Sequence, residues 1–154
     1  MFSFTPTIIL RHRRENLNKC SLKGLETRSD MLFFPYPNPP PLVLSGYLML
    51  TLDAPPLTRE DASYGILLLD ATWRYACVMA RNLPNASQLI HRSLPSSLQT
   101  AYPRRQLDCP DPERGLASIE ALYSAYAILG RDTTGLLDNY HWRESFLEKN
   151  TLYL

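Results

Sequence analysis

A chain of 154 residues with 45% hydrophobic content, 20% charged residues and a formal net charge of +1 can bury enough surface for one compact unit, or for two small lobes around a shared core, without covalent staples. Its three cysteines, Cys20, Cys77 and Cys109, lie far apart with no Cys-x-x-Cys pair, which argues against a zinc site or a disulfide framework and for a reducing, cytoplasmic compartment. The apolar run ending at Leu10 is followed by Arg11-His12-Arg13-Arg14, the reverse of a signal peptide's charge order, and no apolar run approaches the length of a membrane span.

In chain order, Thr7 to Leu10 reads as a first strand and Leu17 to Thr27 as a short helix. Phe33 to Pro41 contains Pro35, Pro37 and the run Pro39 to Pro41, which forbids helix and reads as an extended spacer loop. Leu42 to Leu44 and Tyr47 to Leu50 read as strands, with a turn over Ala54-Pro55-Pro56-Leu57-Thr58. Ile66 to Leu69 is short and fully apolar, as suits a strand buried on both faces, and residues 71–81 carry helix-friendly Ala, Met and Arg. Beyond Leu94 the pattern turns helical. Glu120 to Leu129 places Ala121, Leu122, Ala125 and Ile128 at helical spacing, Gly130 stands where a C-terminal cap belongs, and Leu136 to Leu147 reads as the last helix. The chain is therefore expected to be α/β, with a parallel-sheet lobe over residues 1–92 and a helical lobe over residues 93–154 forming one compact unit.

The corner after Leu69 is the most informative point. An apolar strand run ends there in Asp70, Thr72 and Trp73, and in open parallel sheets the crevice at the carboxyl ends of the strands holds the ligand. An acid or hydroxyl just before a helix is equally suited to capping it, so Asp70 and Thr72 also read as N-cap candidates. The basic residues Arg11, Arg13, Arg14, His91, Arg92, Arg104, Arg105 and Arg114 form small clusters that acids elsewhere offset, a modest electrostatic footprint for a nucleic-acid partner.

Four blocks in order then take on a joint meaning: Lys19-Cys20-Ser21 to Leu25; Leu44-Ser45-Gly46 with the following Thr58-Arg59-Glu60-Asp61; Asp70 to Ala76; and Leu94-Pro95 to Glu120-Ala121. Their order and spacing resemble the RNA aminocarboxypropyltransferases, which unite the ribosomal-RNA enzymes of small-subunit maturation with the DTW-domain enzymes of transfer RNA. The closing run Leu136-Leu137 through Tyr140, Trp142 and Phe146-Leu147 to Asn150 is similar to the ribosomal branch. Departures from the pattern are Asp70-Ala71-Thr72-Trp73, which has neither branch's usual middle pair, Gly46 in place of a proline, and Ala101-Tyr102-Pro103-Arg104-Arg105, closer to the transfer-RNA style.

The resemblance implies a SPOUT-like parallel-sheet fold with a C-terminal helical lobe and a trefoil knot, a topology that periodicity alone would not suggest. It implies S-adenosyl-L-methionine as cofactor, without a metal, and transfer of its 3-amino-3-carboxypropyl group to a uridine or pseudouridine of small-subunit ribosomal RNA by a monomer with no membrane partner. Transfer to transfer-RNA uridine, methyl transfer on a similar fold, and a non-catalytic ribosome-assembly factor are the alternatives. By the same resemblance Ser21 holds the amino-acid arm, Leu44 packs on adenine, the backbone at Leu69 meets the ribose, and Leu94 and Leu116 flank the adenine. Trp73 and Ala76, one turn apart, form a closed corner for the methyl group, where the indole face favours the sulfonium charge. Asp70 is the candidate base or electrostatic acceptor for the attacking ring nitrogen's proton.

Overall fold

The computed structural model describes residues 5–14, 20–37, 39–103 and 115–154. The expectations that fall on Leu17, Lys19, Arg104, Arg105, Cys109 and Arg114 lie outside the described residues, as does the Trp73 side chain.

Five strands, β1 (Thr7–His12), β2 (Met31–Tyr36), β3 (Tyr47–Leu50), β4 (Gly65–Asp70) and β5 (Ile90–Arg92), form one sheet in the order β2-β1-β4-β3-β5. Every pairing is parallel. Parallel sheets need cover on both faces. Alternation supplies the means: Ile9, Leu48, Ile66 and Leu68 turn to one side, and Ile8, Leu10, Met49 and Leu67 to the other. On the first side pack Cys20, Leu22 and Leu25, the helix α2 (Ser118–Leu129) through Ile119, Leu122 and Leu129, and the helix α3 (Arg143–Lys149) through Phe146. On the second side Met79 of α1 (Trp73–Arg81) and Leu83 close the core. One hydrophobic cluster thus joins strands from the first half of the chain to helices from the last third. Gly65 opens β4 where a β-carbon would stand 2.5 Å from the Tyr47 ring, so the close approach of that ring requires glycine there.

Several sequence expectations change. Residues 20–27 fold as successive turns closed by Lys23 to Cys20 and Leu25 to Leu22 bonds, not as a helix, and Gly24 at φ +93° interrupts any helical continuation. The proline-rich stretch begins inside β2, supplying its residues Phe33 to Tyr36, because β2 is the sheet edge and Pro35 needs no donor on its outer side. Leu42 to Leu44 is not a strand; it turns into β3, with the Tyr47 N–H donating to the Leu44 carbonyl at 3.1 Å. Strand β5, only three residues long, was too short to stand out as a pattern. The last helix begins at Arg143, since Thr133 to Tyr140 winds through i to i+3 turns around Gly135, at φ +82°. Gly130, at φ +77°, caps α2 as its spacing predicts.

Candidate functional site

The carboxyl ends of β3 and β4 open into a cavity of about 820 Å³, within the range of roughly 300–1,000 Å³ that small-ligand sites occupy. The chain runs outward from β1 to β2, then crosses to the far side of β1 to build β3 and β4, and the cavity lies at the carboxyl ends of these two neighbouring strands, the end of a parallel sheet at which ligands bind. Its floor is Leu50, Thr51 and Leu52 after β3 and Leu68 to Thr72 at the end of β4. Small side chains keep it open: Ala76, Cys77 and Ala80 of α1 on one side, Ala117, Ser118 and Ala121 at the start of α2 on the other. Leu94, Pro95, Tyr102, Pro103, Leu116 and Ser21 complete the wall.

Among the described lining residues Asp70 is the single charged one. Its side chain is 3% exposed and accepts from Arg11 Nε at 2.7 Å, across the β1–β4 register that pairs the two residues. The Cys20 thiol also donates to it, at 3.3 and 3.4 Å from the two carboxylate oxygens. Arg11 in turn donates to Glu26 at 3.0 Å. Burial works against the Arg11 charge, yet the hydrogen bond and negative charge of Asp70 outweigh it and raise the guanidinium's pKa. The Cys20 thiol is pushed up to about 12, first by burial and then by the Asp70 charge, so it stays protonated and acts as a donor. Asp70 is therefore held in a buried ion pair with Arg11, its direction fixed by the guanidinium on one side and the Cys20 thiol on the other.

Neither Asp70 nor Thr72 caps α1 through its side chain. Thr72 occupies the N-cap position with an extended backbone and no side-chain cap bond, and it lines the cavity instead. The amino-terminal turns of α1 and α2 thus both border the same space, where their partial positive charge favours a carboxylate. Ser21 is held there by accepting the Ile119 N–H at 3.2 Å.

A second buried carboxylate shapes the wall. Glu120, wholly buried, accepts from the Thr100 hydroxyl (2.6 Å), the Ala101 N–H (2.8 Å), the Ala117 N–H (2.8 Å) and the Tyr140 hydroxyl (3.0 Å). Asn150, equally buried, accepts from the Gln99 N–H at 2.8 Å and donates to the Gln99 carbonyl at 2.9 Å. Trp142 packs edge-on against Tyr102, ring centres 5.1 Å apart. The C-terminal block therefore clamps residues 99–102 as one side of the cavity.

Ser21, Leu69, Asp70, Ala76, Leu94 and Leu116, singled out from sequence, all line this one cavity. Leu44 does not. It precedes β3, so in a parallel sheet it sits at the opposite, amino end, fully buried in the α1-side core with its N–H donating to Gln88. Leu50, Thr51 and Leu52 stand at the strand end that Leu44 was expected to mark. Trp73 opens α1, and its side chain lies outside the described residues. Thr51, Tyr102 and Ser118 also line the cavity but were not singled out as site residues from sequence, Tyr102 and Ser118 having been read only within longer blocks; the rule that ligands meet the carboxyl ends of parallel strands would have found Thr51 once β3 was bounded at Leu50. Among the described residues no group of three or more His, Cys, Asp or Glu side chains could hold a metal ion, and no helix is long and apolar enough to cross a membrane.

No protein-family model matches this chain, and no curated protein matches it either. Among solved structures it is similar to the SAM-dependent rRNA:acp-transferase Tsr3 from Vulcanisaeta distributa, with a TM-score of 0.71 and 21% sequence identity over 97% of this chain and 81% of that one. The likeness is one of fold: the same mixed α/β architecture around a parallel sheet.

Proposed function

We propose that this chain binds S-adenosyl-L-methionine in the cavity and transfers its 3-amino-3-carboxypropyl group to a uridine- or pseudouridine-type base of small-subunit ribosomal RNA. The observation that carries the reading is convergence: six residues picked out in sequence by resemblance to RNA aminocarboxypropyltransferases border one cavity, in a fold similar to a SAM-dependent rRNA:acp-transferase. The chemistry of the lining supports it too. Apolar walls without a described Lys, Arg or His suit an uncharged adenosine and disfavour a nucleotide phosphate, while Asp70 offers one negative charge for a sulfonium.

When bound, the cofactor would supply an electrophilic carbon next to its sulfonium sulfur, so that a bond from the ring nitrogen to that carbon would replace the carbon–sulfur bond, with methylthioadenosine as the neutral leaving group and the nitrogen's proton released to solvent. The chain's residues do the positioning. Ser21 and the amino-terminal turns of α1 and α2 take the amino-acid arm, Leu50 and Leu52 with Leu94 and Leu116 enclose the adenine, and Leu69 meets the ribose through its backbone. Ala76, with Trp73, closes the corner that holds the methyl group away from the nucleophile. Asp70 serves as an anchored negative charge, with Arg11 and Cys20 fixing its direction. The trefoil knot, a monomeric state and a cytoplasmic location belong to the same proposal.

Incubation with S-adenosyl-L-methionine and ribosomal RNA, followed by mass analysis of the nucleoside by-product, tests it. Methylthioadenosine is the expected product; S-adenosylhomocysteine would mean methyl transfer.

A further inference from the structure

A cluster beside the cavity remains without a role in this account. His12 ends β1, Tyr36 ends β2, and Tyr75 lies in the first turn of α1, so the sheet brings all three to its carboxyl edge. The His12 and Tyr75 rings stack with centres 4.3 Å apart and planes 11° from parallel, and Tyr36 lies on His12 at 5.7 Å. Arg14 is drawn over this ladder: its Nη1 donates to the Tyr75 hydroxyl at 3.2 Å and its N–H to His12 Nδ1 at 3.1 Å. The Arg13 N–H is fixed by the Tyr36 carbonyl at 2.9 Å. Arg13, Arg14 and Arg74 are all exposed, and none forms an ion pair among the described residues, whereas Arg11, Arg28 and Arg92 all do.

We propose that the ledge of Arg13, Arg14 and Arg74, mounted on the Tyr36–His12–Tyr75 ring ladder, is the surface on which RNA phosphates dock to bring the target base to the cavity. The placement follows from the fold. Arg11 is the register partner of Asp70, so the ledge begins two residues beyond that pair at the cavity floor, and α1 turns Thr72 and Ala76 to the cavity while presenting Arg74 to solvent. Three exposed guanidinium groups with no acid paired to them among the described residues, one of them held on the Tyr75 hydroxyl of a preordered aromatic ladder, match phosphate oxygens at little ordering cost. With Nδ1 accepting from the Arg14 N–H, the neutral ring carries its proton on Nε2. Burial, then the charges of Arg13 and Arg14, lower the pKa of His12 and keep it neutral, so it serves as packing rather than as a fourth cation.

The inference rests on the RNA part of the proposed function, and its primary readout, RNA binding, needs no cofactor. A fluorescein-labelled stem-loop transcript of small-subunit ribosomal RNA is titrated against the intact chain and against the triple variant Arg13→Gln, Arg14→Gln, Arg74→Gln over a series of salt concentrations. Each lost phosphate contact should flatten the slope of log affinity against log salt by about 0.7 to 0.9, so the variant's slope falls by roughly 2 and its affinity at least about tenfold. Calorimetric binding of S-adenosyl-L-methionine and the melting temperature should not change, and KM for RNA should rise with kcat preserved. Unaltered RNA affinity and salt slope in the triple variant overturn the ledge, and if turnover persists they leave the transferase reading standing. Loss of RNA binding in the variant, in a protein that binds no S-adenosyl-L-methionine, supports the ledge and removes the transferase reading. Binding of a polyglutamate peptide in preference to the transcript overturns the ledge in favour of an acidic protein partner.

Discussion

Replacing Asp70 with Asn keeps the shape of the side chain and removes the charge, which makes Asp70→Asn the sharpest probe of the site's electrostatics. The carboxylate is almost fully buried and sits 2.7 Å from Arg11 Nε. Two unit charges about 4 Å apart interact by roughly 4 kcal/mol at an effective dielectric constant near 20, and breaking a buried pair from one side costs about 3–5 kcal/mol. Arg11 retains 16% side-chain exposure and a second partner in Glu26 at 3.0 Å, which puts this case at the low end. Denaturant unfolding should therefore show a loss of about 3 kcal/mol, and the melting temperature should fall by roughly 6–12 °C for a chain of this size. Arg11→Met in the same protein removes the stranded cation, so the double variant should recover at least about 1 kcal/mol relative to the sum of the singles. S-adenosyl-L-methionine affinity should fall in Asp70→Asn, where the Arg11 cation is left unopposed beside the cavity, and should return only in part in the double variant, because the anchored negative charge is still missing. A stability within about 0.5 kcal/mol of the parent for Asp70→Asn, or strict additivity in the cycle, would refute the buried-pair reasoning.

Leu44→Ala should cost about 2–5 kcal/mol as a core cavity yet leave S-adenosyl-L-methionine affinity intact by calorimetry, because Leu44 is fully buried away from the cavity. Glu120→Ala removes the shared acceptor of four hydrogen bonds and unclamps residues 99–102, so both stability, by at least about 3 kcal/mol, and cofactor affinity should drop; retention of affinity would argue against the clamp. Cys77 is exposed and lines the cavity, so S-adenosyl-L-methionine should slow its alkylation, read by peptide mass analysis, while buried Cys20 stays unmodified with or without cofactor. The pKa of Cys20 is 9.0 when unperturbed and about 12 in the folded state. The unfolded chain therefore loses this proton first as pH rises, and between those two values stability should fall by about 1.4 kcal/mol per pH unit from this group, a component that Cys20→Ala should remove.

What the sequence disclosed and what it hid have physical reasons. Ile66 to Leu69 announced a doubly buried strand because both of its faces are covered, and Asp70 stood out because an acid at the end of such a strand must either meet a ligand or find a partner. Here it borders the cavity and is also paired with Arg11, a partner fifty-nine residues away that only the β1–β4 register brings near. Strand β2 was concealed by prolines that an edge position tolerates, and β5 by its length of three residues. Leu44 was misplaced because the strand that matters starts at Tyr47, which exchanges the two ends of the sheet for that residue. Glu120 and Asn150 were visible as parts of blocks, but their work as clamps on residues 99–102 depends on contacts 19 and 51 residues away in the chain, which no local pattern encodes.

The most direct test of the central claim uses two forms of S-adenosyl-L-methionine, one labelled in the carboxyl carbon and one in the methyl group, offered in parallel to the purified chain with immature small ribosomal subunits. The account predicts that the carboxyl label enters small-subunit ribosomal RNA and the methyl label leaves with methylthioadenosine. Methyl label in the RNA, or carboxyl label in neither RNA strand nor nucleoside after confirmed cofactor binding, would contradict it.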